Sequence, residues 1–250
     1  MKGKIKIAGI AILLGILCSG CKEEKNIFEE AAQYAEEQES TQKEQSDNLE
    51  KRNEVQVQLR NVLEEINEKY EADISAKFLI TLGDEFQGLL CNAKGVLKII
   101  SEIQMRLYPV ELRFGIGIGK ITTDINTEMA LGADGPGYYN ARMAINLLKE
   151  NENRNKTLPS NIYLVTDEVN KSTEIMLNTI FELISAVERS WTERQREIIW
   201  DMLKHQDGQK NTAYRMGITQ SSVQKALAAG NYYVYERALK NIGNILEEMT

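Results

Sequence analysis

Between residues 54 and 165 the apolar spacing switches repeatedly between the period of a helix and that of a strand, and this alternation leaves few folds open. Val55, Leu59, Val62, Leu63, Ile66 and Tyr70 recur at helical spacing and predict a helix over 54–70. Phe78 to Leu82 is a compact apolar run stopped by Gly83, and Glu85 to Leu90 follows across the Gly83-Asp84 turn, so two strands are expected. Val96, Leu97, Ile99, Ile100, Ile103 and Leu107 mark a second helix closed by Pro109. Leu112 to Ile118 reads as a strand punctuated by Gly115 and Gly117. The glycine-rich stretch Gly132 to Gly137 leads into a helix from Tyr138 to Glu150, and Ile162 to Val165 is a last short strand. One more strand in front of this order would complete a ferredoxin-like split unit. The residues before 54 do not read as that strand, so the expectation is an α+β domain whose first strand is missing.

The 250 residues are 42% hydrophobic, enough for a sizeable core. Three cysteines, Cys18, Cys21 and Cys91, exclude a disulfide scaffold. His205 is the single histidine, which argues against a Cys/His zinc cluster and leaves a Ser-His-Asp mechanism one candidate base. A mean hydropathy of −0.37 and one apolar run near the start exclude a multi-span membrane protein.

That run has its own reading. Lys2, Lys4 and Lys6 precede the uncharged segment Ile7 to Leu17, and Cys18-Ser19-Gly20-Cys21 follows, which is the pattern of an export signal. The segment resembles a bacterial lipoprotein box, with Cys18 in place of the usual leucine. The resemblance implies lipidation of Cys21 and a membrane-anchored lipoprotein; the alternative location is the cytoplasm. Residues 22–50 hold ten acids against three lysines, an imbalance equal to the net charge of the whole chain, −7, so 22–53 reads as an acidic polar linker.

Two motifs carry candidate chemistry. Asp84 and Glu85 at a turn between strands are oxygen ligands suited to Mg²⁺ with a nucleotide. Phe114 to Lys120 brings bare backbone near a cation without Walker spacing. Together with Tyr139-Asn140-Ala141-Arg142, these motifs resemble the nucleotidyl-cyclase-like fold. That resemblance implies a metal site at Asp84 and Glu85, and a ligand site at Gly115, Gly117, Asn140 and the phosphate-facing Arg142. The first-strand aspartate of such cyclases has no counterpart here, which leaves a two-metal site half built. The longer runs Glu65 to Tyr70, Lys77 to Leu90, Arg113 to Gly119 and Gly132 to Pro136, with the C-terminal unit, resemble the SatD-like proteins over residues 50–250. That family implies a short first strand carrying Gly-Asp and then Asp-Ser-Arg, and it brings no firm activity.

The C-terminal unit reads as a helix-turn-helix. Trp191 to His205 is a helix with Ser190 and Glu193 as its capping box. Gln209 to Met216 is the next, Gly217 the turn, and Thr219 the N-cap of a third. The third helix offers Gln220, Ser221, Gln224 and Lys225 to DNA, with Arg215 beside them. Residues 189–250 carry nine bases and seven acids, a modest excess for such a role. Tyr232, Tyr235, Leu239, Ile242, Leu246 and Met249 form one apolar seam, for internal packing or for a homodimer. Cys91, Trp191 and Trp200 read as buried, and His205 as a surface or capping group.

The expected division is a signal at 1–21, a linker at 22–53, a cyclase-like domain at 54–170 and a helical domain at 171–250. The expected function is a DNA-binding regulator whose cyclase-like domain takes a ligand or partner. Two alternatives stand beside it, a lipoprotein without a DNA role and a Mg²⁺-dependent enzyme acting on nucleotides.

Overall fold

The computed structural model describes residues 10–12, 53–82, 85–130, 132, 134–155, 159–166 and 170–249. Strand β1 is Ile10–Ile12. Helix α1 covers 53–69, and a single 3₁₀ turn, Glu71–Asp73, leads into β2, Ile74–Leu82. Then come β3 (Glu85–Leu90), α2 (Val96–Leu107), β4 (Phe114–Gly117), α3 (Pro136–Asn155) and β5 (Ile162–Val165). Five helices follow: α4 (Lys171–Arg189), α5 (Glu193–His205), α6 (Gln209–Arg215), α7 (Gln220–Ala229) and α8 (Tyr232–Glu248). The protein is α+β with a helical C-terminal part.

The strands form one sheet ordered β2-β3-β1-β4-β5. β1 lies antiparallel to both neighbours: Ile10 is opposite Gly88 and Ile116, and Ala11 is opposite Gln87 and Gly115. β5 runs parallel to β4, as the crossover through α3 requires. The first strand expected to be missing is therefore Ile10–Ile12, inside the run that reads as an export signal. A short uncharged run bounded by Gly9 and Gly15 has no periodicity to separate a buried strand from a signal's apolar core, which is why sequence misses it.

Each face of the sheet is covered. Phe114 and Ile116 point into the main core, where Phe114 meets Phe86 edge-on at 6.5 Å beneath α1 and α2. The alternate residues Gly115 and Gly117 point the other way, toward α3. A Cβ on Gly117 would stand 2.2 Å from the Ala141 amide nitrogen and 2.3 Å from the Gly137 carbonyl oxygen. α3 thus lies directly on the backbone of β4. Ala76, Leu89 and Ala130 form a small second cluster on this side, backed by Ile121 and Ile125.

The two outer strands are closed by asparagines. Asn67 of α1 donates to the Phe78 carbonyl at 2.9 Å and accepts from the Phe78 amide at 2.7 Å. Asn178 of α4 does the same for Leu164, with both bonds at 2.8 Å. Each carboxamide stands in for one residue of an absent neighbouring strand. α4 is the one long helix that periodicity offers and the reading leaves undrawn: Leu177, Phe181 and Ile184 form its buried stripe.

The helical part shares the main core. Trp191 is buried, donates to the Gly230 carbonyl at 2.8 Å, and packs edge-on against Tyr235 at 4.9 Å. The Arg196 guanidinium sits over the rings of Tyr108, Trp200 and Trp191 at 5.1, 5.5 and 5.7 Å. It donates to the Glu188 carbonyl at 3.0 Å, and its buried Nε has no hydrogen-bond partner, so the three ring faces answer much of its charge. Tyr108 closes α2, so this cluster bolts α5 to the sheet domain. Tyr232, Tyr235, Ile242 and Leu246 are all buried against the chain's own core, which is the internal use of the α8 seam. Cys91, expected inside, is exposed, because it follows the end of β3 and its side chain turns toward the Ala72 carbonyl at the 3₁₀ turn. The α5 cap is Thr192 with Gln195 rather than Ser190 with Glu193; the Ser190 hydroxyl donates instead to the Val187 carbonyl at the end of α4.

Two glycines should respond oppositely to alanine. Gly117→Ala forces Cβ into fixed backbone and should lower unfolding free energy by about 3 kcal/mol, the upper end for overpacking. Gly243→Ala meets nothing within 4 Å on α8 and should raise it by about 0.5–1 kcal/mol. Urea titration of both variants measures this pair of signs.

A second prediction concerns Glu188. Burial raises its carboxyl above the ordinary value of 4.5, against the opposing pull of the Tyr235 hydroxyl bond and Arg196. The folded state therefore holds that proton more tightly, and the group's contribution to stability falls as pH rises from about 4.5 through the raised value. Glu188→Gln keeps an acceptor for Tyr235 and removes the charge. Its urea midpoint should match wild type near pH 4 and exceed it at pH 7; a gap constant with pH would contradict this assignment.

Candidate nucleic-acid interface

Helix α5 begins on a full capping box. Thr192 accepts from the Gln195 amide at 3.3 Å, and Gln195 accepts from the Thr192 amide at 2.9 Å. Gln206 at φ 52° ends α5, and Gly208 at φ 92° starts the next turn. Between α6 and α7 the expected turn residue, Gly217, stands at φ 63°, a left-handed conformation that glycine adopts without steric cost. The Ile218 amide returns to the Ala213 carbonyl at 3.0 Å, and Thr219 caps α7 by accepting from the Ser222 amide at 3.2 Å. Thr212, Ala213, Val223 and Leu227 are buried between α5, α6 and α7.

The remainder of α7 is open. Gln220, Ser221, Gln224, Lys225 and Ala228 are exposed, and their spacing puts them on one stripe of the helix. Gln224 is held rather than loose: its Oε1 accepts from the Gln209 Nε2 and, at 3.3 Å, from the Tyr233 hydroxyl. Gln209 also donates to that hydroxyl at 2.7 Å. Both acceptor positions of the Gln224 carbonyl are thereby engaged. The sequence reading singled out Gln224 but not Gln209 or Tyr233, which lie on other helices and meet it only in the fold.

Arg215 is held by two aspartates. It donates to both Asp201, at 2.7 Å, and Asp207, at 2.5 Å, and so ties α6 to α5 and to the connecting loop. Its hydrogen bond holds Asp207 below the ordinary aspartate value. Asp201 is also lowered, since Arg215 and Thr212 outweigh its partial burial. His205, on the last turn of α5, has Nε2 3.6 Å from Asp201. On α6 Tyr214 is 89% exposed, beside exposed Lys210 and Asn211. Its place opposite buried Thr212 and Ala213 on a seven-residue helix was the available signal.

The candidate ligand residues do not converge in the same way. Gly115 and Gly117 are covered by α3 on their open side. The Asn140 side chain donates to the Ile118 carbonyl at 2.8 Å, fastening α3 to the end of β4. Arg142 is exposed, donates to the Tyr138 hydroxyl at 3.1 Å, and lies within the electrostatic influence of Glu85. Glu85 opens β3 and is half-buried, whereas Asp84 lies outside the described residues, as does Cys21. β1 brings Ile10, Ala11 and Ile12 to the sheet, none of which has a ligating side chain. No group of three His, Cys, Asp or Glu residues is placed to hold a metal among the described residues. Among those residues, too, no helix is long and apolar enough to cross a membrane.

No curated protein and no solved structure matches the chain. The family model described as the SatD family matches residues 43–246, from the end of the acidic stretch through α8. This match spans most of the 250 residues, and the chain belongs to the SatD family.

Proposed function

We propose that this SatD-family chain binds DNA through α7, and that its cyclase-like body serves as a ligand- or partner-binding platform rather than as a catalyst. The observation that carries the reading is the open stripe Gln220, Ser221, Gln224 and Lys225 on a helix held at its start by a left-handed glycine turn and a threonine cap. A helix of this kind fits a major groove, with its first residues toward base edges. Lys225 supplies a phosphate contact. Gln224, with its carbonyl oxygen engaged, suits acceptor edges such as guanine O6 and N7 or thymine O4 over the two-way pairing with adenine. The modest charge of the unit means that binding leans on fit and falls only gradually with salt. The Arg196 cluster fixes α5 to the end of α2, so an event on the body has a rigid route to α7.

Selection from random duplexes followed by fluorescence anisotropy tests this. Lys225→Glu should weaken all duplexes alike and reduce the salt slope by about 1 or more, since it removes one phosphate contact and adds a repulsive charge. Gln224→Ala should cost about 1–3 kcal/mol on the selected sequence and relax preference at one base pair. Tyr233→Phe should alter the base preferred there more than the affinity, by freeing the Gln224 carbonyl. Equal binding of all three variants and wild type would remove α7 from the interface.

A further inference from the structure

The apolar residues with the character of an export signal also supply the strand at the middle of the sheet. Ile10 and Ala11 are each paired on both sides, with Gly88 and Gln87 of β3 and with Ile116 and Gly115 of β4. Export of a lipoprotein cuts the chain ahead of the modified cysteine, so any use of Cys21 takes Ile10–Ile12 away. β3 and β4 would then face one another across about 10 Å, twice the usual strand spacing. Both lips of that gap would expose unpaired backbone groups in the middle of a core whose Phe86 and Phe114 are fully buried. The described residues offer no second strand to fill it. A signal's apolar core and a central strand ask for the same composition, a short uncharged run, but only one of the two uses leaves the segment in the mature protein.

We propose that Ile10–Ile12, within the N-terminal apolar segment, is a retained structural strand, and that the folded SatD body and a processed lipoprotein are mutually exclusive fates of the same residues. The folded protein keeps its leader as β1 and stays in the compartment where it was made. This inference does not rest on DNA binding, although it places α7 where DNA is.

Intact-mass and N-terminal analysis of the native protein, after fractionation of the cells that make it, tests the proposal. The expected result is a chain that still contains Ile10–Ile12 and is found outside the membrane fraction. A membrane-bound chain beginning at a lipid-modified Cys21 would overturn it. Two full-length variants separate strand from signal. Replacing Lys2, Lys4 and Lys6 together by Glu disables an export signal and leaves the β1 ladder intact, so size, location and thermal midpoint should not change; accumulation of a larger precursor relative to wild type would overturn the proposal. Ala11→Pro removes a donor from a doubly paired strand and should abolish the cooperative melt or cut soluble yield several-fold. A melt equal to wild type would overturn it as well.

Discussion

A sheet ordered β2-β3-β1-β4-β5 has two halves whose backbone ladders are joined only by its middle strand, and here that strand is three residues long. The hairpin β2-β3 carries α1 and α2 as its connections to β1 and β4, while β4 and β5 carry α3 and α4. Without β1 these are two small layered units, each with one side of its ladder open. With it, Phe86 from one half and Phe114 from the other meet edge-on beneath a continuous layer of helices. The core is therefore conditional on backbone pairing far away in sequence, a long loop closure that only the assembled hydrophobic layer can offset.

The same economy appears at the sheet's margins. An unpaired edge invites another strand, and proteins avoid this by covering or capping it. Asn67 and Asn178 each satisfy an edge residue's amide and carbonyl together, one from α1 and one from α4. Glu174 adds an acceptor for the Thr166 amide at 2.7 Å just past β5. Because each capping side chain lies on a helix already packed on the sheet, closing the edges also fixes those helices along their axes. The glycines of β4 do the complementary work on the opposite face, where absence of side chains lets α3 come close enough for Asn140 to reach the Ile118 carbonyl.

How much of this was legible depends on the range of the interaction. The helices and strands from 54 to 165 follow from apolar period alone, since each buries one face. The turn at Gly217 and the cap at Thr219 were readable because they are local: a residue without Cβ before a hydroxyl residue at a helix start. The α5 cap slipped by two residues since Ser190 and Thr192 offer similar hydroxyls, and only the end of α4 decides between them. β1 was missed because a three-residue strand in an unpatterned apolar run has no period. The glycines of β4 suggest phosphate from their chemistry, while the close approach of α3 to their bare backbone is visible only in the fold. Arg215 looked like a free cation, but its two aspartates lie 14 and 8 residues away on other turns.

The Arg196 cluster joins these observations into one mechanical unit. A cation set against three aromatic rings loses those attractions when the rings separate, so Arg196 holds the end of α2 to α5. Tyr235 donates to the half-buried Glu188 carboxylate and packs on Trp191, which ties α8 to the same cluster. α7 is anchored to that block through Val223 and Leu227 and through Gly230, whose carbonyl holds the Trp191 indole. The exposed stripe of α7 is consequently oriented by the sheet domain rather than by a flexible tether. A body that fixes one helix so firmly can alter its reach only by shifting the whole block, and the segment whose insertion assembles that body is β1 itself.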